Sequence, residues 1–181
     1  MIRNRSSFPG FRRGVGALAA LVLMVGSLCG CAYRLGTTSG LEPGSRSIAV
    51  MPFENATYEP RVTESISTAL REQLQQEGTY KLARRDDADV ILTGVVRSIT
   101  RSEQSFQFQD TRHVRDYRLE IVAQVTATER GTGKKLLERE LGGHTTMRVL
   151  SDLPSAERQA MPLLAANLAR NITSVLVDGS W

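Results

Sequence analysis

Cysteine is almost missing from these 181 residues: there are two, Cys29 and Cys31, both near the start. A disulfide framework or a cysteine-ligated metal site in the rest of the chain is thereby excluded. Histidine is equally scarce. His113 and His144 are the only two, they are far apart in sequence, and no His-x₃-His pair exists, so zinc has no ligand set. Excess charge is missing too. Formal charge is +4, but Arg3, Arg5, Arg12 and Arg13 all precede residue 31, and no acid does. From Cys31 onward 19 basic residues face 19 acidic ones, so the basicity belongs to the leader and is not a nucleic-acid signature. At 41% apolar and 23% charged the chain is neither collagen-like nor a disordered polar tract, and it can build one ordinary core.

Catalytic motifs are missing as well. No Gly-x-Ser-x-Gly occurs. Gly131-Thr132-Gly133-Lys134 echoes a phosphate loop, but Thr128 and Lys135 stand where the pattern needs Gly and Ser/Thr, so it reads as a hairpin turn. Asp86, Asp87 and Asp89 lack the turn glycine and distal Glu of a calcium loop and read as a solvated turn. The expectation is a protein that is not an enzyme and holds neither metal nor cofactor.

What is present starts at the N-terminus. Behind the four arginines, Val15–Leu28 is an uncharged run of 14 residues, and Leu28-Cys29-Gly30-Cys31 follows. A basic region, a short apolar core and a small-residue exit describe a secretory signal peptide over residues 1–30, too short in its apolar part for a span. Leu-x-Gly-Cys resembles a bacterial lipobox. Cys31 is then the lipid-attachment residue. Its thiol takes a diacylglycerol, and its freed amino group takes a third acyl chain of the palmitate kind. Two or three chains make such an anchor effectively permanent. Ala32 replaces the Asp that marks inner-membrane retention, which points to the outer membrane on its periplasmic side.

Residues 31–46, with Gly36, Gly40, Pro43 and Gly44, read as a tether, and residues 47–181 as a single domain. Ser47–Phe53 is an apolar strand. Arg61–Glu77 is a helix whose Val62, Ile66, Leu70 and Leu74 recur every four residues, stopped by Gly78. Tyr80–Ala83 is a short strand. Three long extended arms follow. The first runs from Val90 to about Gln109, with a reversal in Asp110–His113. The second runs from Val114 to about Glu129, with Leu119, Ile121, Ala123, Val125 and Ala127 alternating with polar residues. The third starts at Lys134 and runs to about Met147, with Gly142-Gly143 as a bulge or an end. Ser151–Val177 is a closing helix with Leu164, Leu168 and Ile172 on its stripe. Pro162 means that it either starts near Met161 or kinks there. The expected fold is α+β, a two-layer sandwich with two helices on one face of a mixed four- to five-stranded sheet.

Arg97, Arg101, Arg112, Arg115 and Arg118 gather at one end of the first hairpin, among Phe106, Phe108 and Tyr117. One reading is a solvated sheet face screened by Glu103, Asp110 and Asp116. The other is a surface for anions beside acyl chains, in which arginine forks hold phosphates. Arg97, Arg101, Arg115 and Arg118 are the candidate lipopolysaccharide-binding residues on that second reading, on physical grounds alone.

Cys31-Ala32-Tyr33-Arg34-Leu35, Ser47-Ile48-Ala49-Val50, Phe53-Glu54-Asn55, Tyr58-Glu59-Pro60, Ala88-Asp89-Val90-Ile91-Leu92-Thr93-Gly94, Tyr117-Arg118-Leu119 and Thr132-Gly133-Lys134 together resemble the LptE family of lipopolysaccharide-assembly lipoproteins. Order and spacing carry the match across nearly the whole mature chain. Ala32 and Pro162 depart from the family's pattern. The resemblance implies an outer-membrane lipoprotein whose partner is the large β-barrel LptD. It would plug that barrel, aid its assembly and bind lipopolysaccharide on its way to the outer leaflet. Ile48–Asn55 also looks like the opening of TolB-amino-terminal and CsgG-like lipoprotein domains, which are periplasmic scaffolds or secretion-pore subunits. A barrel that co-purifies supports the first reading, and a ring-shaped homo-oligomer the second.

Overall fold

The computed structural model describes residues 44–60, 62–104, 115–149 and 152–179. The leader, most of the tether and the reversal at Asp110–His113 lie outside the described residues.

The first apolar run forms β1 (Arg46–Val50), with Ile48, Ala49 and Val50 buried. Glu54–Asn55, read as loop from sequence, forms a two-residue β2. Helix α1 (Val62–Glu77) buries Val62, Ile66, Leu70 and Leu74, the stripe expected from their spacing. Gly78, at φ 74°, ends it and gives its N–H to the Leu74 carbonyl at 3.1 Å. The chain returns as β3 (Tyr80–Leu82), parallel to β1.

The long arms are β4 (Val90–Gln104), β5 (Arg115–Glu129) and β6 (Lys135–Val149), an antiparallel meander. Gly133, at φ 70°, sits in the turn between β5 and β6. The sheet order is β3-β1-β4-β5-β6, and β2 pairs with β4 just past the end of β1. Counting β2, the mixed sheet has six strands.

Helix α2 spans Leu153–Asp178. Asp152 caps it by accepting the Ser155 N–H at 2.8 Å, Pro154 suits its first turn, and Gly179 closes it at φ 61°. It starts eight residues before Met161, so Pro162 lies inside the helix and does not open it. α1 packs on β1, β2 and β3, α2 on β5 and β6, and the two helices on each other. Leu119, Ile121, Ala123, Val125 and Ala127 of β5 join Leu70, Leu164, Leu168 and Ile172 in one core. This is the expected two-layer α+β sandwich.

Two local features differ from the sequence reading. Gly142 and Gly143 stay inside the β6 ladder, opposite Val122 and Ile121. Their smallness serves packing, because a Cβ on Gly143 would lie 2.7 Å from the backbone nitrogen of Leu168 on α2. The irregularities fall elsewhere. One lies between Val96 and Ser98, where Arg97 is the extra residue, and the other in the β5–β6 ladder after Ala127.

Candidate functional site

The arginines expected to form one surface lie on β4 and β5, which do pair, but they do not share a face. The bulge at Arg97 is the reason. An unbroken strand would turn Arg97 and Arg101, four residues apart, to the same side. The extra residue resets the alternation, so Arg101 falls opposite Leu119, on the helix-covered face. There it makes an ion pair with Glu157 of α2. Arg118 falls opposite Ser102 on the helix-free face and binds Glu120, Nε to Oε1, at 2.6 Å. Arg97 is exposed and makes no ion pair among the described residues. Arg115 is placed by register only, opposite Val149. Phe106, Phe108 and Arg112 lie outside the described residues. Tyr117 donates its hydroxyl to Glu103 at 3.3 Å.

The helix-free face at this end of the sheet is polar and balances its own charge. Asp116 and Arg148 sit opposite each other and meet through two contacts, at 2.9 and 3.3 Å. That pair holds the Asp116 carboxyl below its ordinary value and lifts the Arg148 guanidinium above its own. The rung beside Arg118 and Ser102 is completed by Thr146, and the next by Thr100, Glu120 and His144.

The acidic turn has an internal use. Oδ2 of Asp89 accepts both the N–H of Ser47, at 2.8 Å, and its hydroxyl, at 2.7 Å. These bonds, and then the charges of Arg130 and Arg46, lower the Asp89 pKa. Arg130 adds Nε to the Ala88 carbonyl at 2.6 Å. The cluster ties β1, the entrance of β4 and the β5–β6 turn together. Asp86 and Asp87 are exposed, as a solvated turn would be.

Concavity lies elsewhere. A groove of about 650 Å³ runs between the loop before α1 and the first half of α2, lined by Glu59, Pro60, Ser65, Pro154, Glu157, Arg158, Met161 and Pro162. Ser65 and Pro162 also line a second stretch, of about 360 Å³, between Glu64, Thr68, Ala69 and Glu72 of α1 and Ala166 of α2. Tyr58, which precedes Glu59 of the groove lining in the chain, is fully exposed. Among the described residues no group of His, Cys, Asp and Glu is placed to hold a metal ion.

The family model for LptE, described as lipopolysaccharide-assembly, matches residues 45–176, the whole described domain but its last turn. The chain belongs to the LptE family. Among solved structures it is similar to the hypothetical protein CT253 from Chlamydia trachomatis, with TM-score 0.52, 9% identity, and cover of 75% of this chain and 96% of that one. Protein XCC0632 from Xanthomonas campestris is similar at TM-score 0.52 and 11% identity, with 81% and 91% covered. At such identities these likenesses concern the fold alone. Comparison with the curated proteins gives no match.

The residues that carried the LptE resemblance have structural work in this chain. Ser47 and Asp89 are the two halves of one cluster. Gly94 leaves room for Phe53, whose ring would overlap a Cβ there. Asn55 accepts the N–H and hydroxyl of Thr57, at 2.9 and 2.7 Å, and donates to the Glu59 carbonyl at 2.8 Å, which fixes the loop that carries Tyr58. The sequence brought Tyr58-Glu59-Pro60 forward only as part of the family resemblance and did not single out the groove, whose other signal was a proline inside a helical stripe.

Proposed function

We propose that this LptE-family chain is an outer-membrane lipoprotein, anchored through Cys31, that plugs and helps assemble an LptD-like β-barrel and binds lipopolysaccharide during its delivery to the outer leaflet. The family match across residues 45–176 carries this reading. It is supported by a helix-free sheet face of threonines, serines and paired charges, suited to a wet, polar surrounding such as a barrel's interior. On this reading the chain binds and scaffolds and performs no catalysis.

Of the candidate arginines whose side chains are described, Arg97 is the one without a carboxylate partner among the described residues, since Arg101 and Arg118 already have theirs. The test has two arms. Pull-down of the full lipoprotein from detergent-solubilised outer membranes should recover a large barrel protein in about equal amount. A ring of this chain alone would overturn that arm and favour a secretion-pore role. Purified protein should retain lipopolysaccharide, and Arg97→Glu should lower retention several-fold with an unchanged melting temperature, since one exposed charge contributes ~0–1 kcal/mol. Equal retention by Arg97→Glu would remove that residue from the site.

A further inference from the structure

The groove between α1 and the first half of α2 carries more open acid than base, with Arg158 the one cation in its lining. Glu59, Glu64 and Glu72 make no ion pair among the described residues. Glu157 is held by Arg101, and the Arg158 guanidinium turns to the Ser155 hydroxyl at 2.8 Å. Pro162, inside α2, has no N–H to give to the carbonyl of Arg158 four residues back. Around these acceptors the walls are apolar, made by Met161, Pro162 and other prolines.

A ligand that satisfies both characters brings donors with positive charge on apolar stems. Lysine and arginine side chains have that construction. Lipopolysaccharide fits less well, because its phosphates would meet three open carboxylates against the one cation of Arg158. The groove's extent, two stretches joined at Ser65 and Pro162, exceeds what a single cation needs and suits a run of polypeptide. Tyr58, fully exposed next to Glu59, offers a ring face to a cation and an anchor of the kind that dominates protein interfaces.

We propose that this groove docks a segment rich in lysine or arginine from the barrel partner, with its cations on Glu59 and Glu64 and its apolar stems against Met161 and Pro162. The proposal rests on the functional reading above, which supplies the partner. It goes beyond that reading by assigning the contact to the helix layer, with a stated charge, and by disfavouring lipopolysaccharide in the same place.

The experiment uses the full lipoprotein produced together with the barrel, with a photo-crosslinking amino acid at Thr68, an exposed position on the groove. Irradiation and peptide mapping should give an adduct on a barrel peptide that contains lysine or arginine. Glu59→Lys with Glu64→Lys should reduce that adduct roughly tenfold, because like charges would then face each other. Glu59→Gln with Glu64→Gln should reduce it less, and Asp86→Lys, on an exposed turn, should leave it intact. An adduct on a second copy of this chain, an adduct on lipid, or none while the barrel co-purifies in full would overturn the docking proposal and leave the functional reading standing. A preparation of the unaltered protein without barrel would overturn the functional reading, and the docking proposal with it.

Discussion

Asp89 and Ser47 are 42 positions apart, yet they share two hydrogen bonds at one carboxylate oxygen. Because folding lowers the Asp89 pKa, its contribution to stability is complete above the unfolded carboxylate value of ~3.9 and is lost as pH falls through the lower folded value. Asp89→Asn should therefore melt below the wild type at pH 7, and the gap should close as pH falls below about 4. Melts of both proteins from pH 7 to pH 2 check this, and a constant gap contradicts it. Gly143 is the second residue with an outsized role. Gly143→Ala should cost roughly 1–3 kcal/mol in a urea titration, since its Cβ would press on the Leu168 backbone. Gly142→Ala, 3.4 Å from the Ile121 carbonyl, should cost less than Gly143→Ala. Neither role was legible in the sequence. An aspartate in an acidic turn and a glycine pair in a strand have local explanations, whereas their actual partners come from distant elements.

At the level of elements the sequence was more informative. Four-residue spacing exposed both helical stripes, and Leu70 and Leu168 are completely buried at their centres. Replacing either with Ala should cost ~2–5 kcal/mol, measured by denaturant unfolding, and a loss under about 1 kcal/mol at both sites would contradict the packing. The bulge at Arg97 was hidden because Val95, Val96 and Ile99 offer apolar residues on either phase of the strand. That one extra residue decides which arginines meet the helices, so the candidate site could not be assembled from alternation alone. Pro162 left two possibilities open. The structure selects an interior proline because Asp152 supplies a cap and Pro154 a helix-compatible first turn upstream of it.

For the whole molecule, element order and short turns were enough to reach the two-layer architecture, since two apolar helix stripes need one sheet face between them. Partner and membrane contacts are another matter, because they depend on surfaces that pattern does not order. Anchoring has a direct check: Cys31→Ala should abolish acylation and leave an unprocessed or soluble form, read by mass spectrometry of the mature N-terminus. Cleavage at another residue would contradict it. One more property belongs to the population of molecules. β6 is the last strand of the sheet, and such a strand invites neighbours to add to it. Here α2 reaches over it: Asn167 accepts the N–H of His144 at 3.0 Å, and Asn171 donates to the carbonyl of Gly142 at 2.7 Å. An incoming strand would have to displace both amides in the middle of its run, and on either side it would meet Glu138, Arg139, Glu140 and Arg148, which are exposed. The addition of a further strand to this edge is thereby opposed.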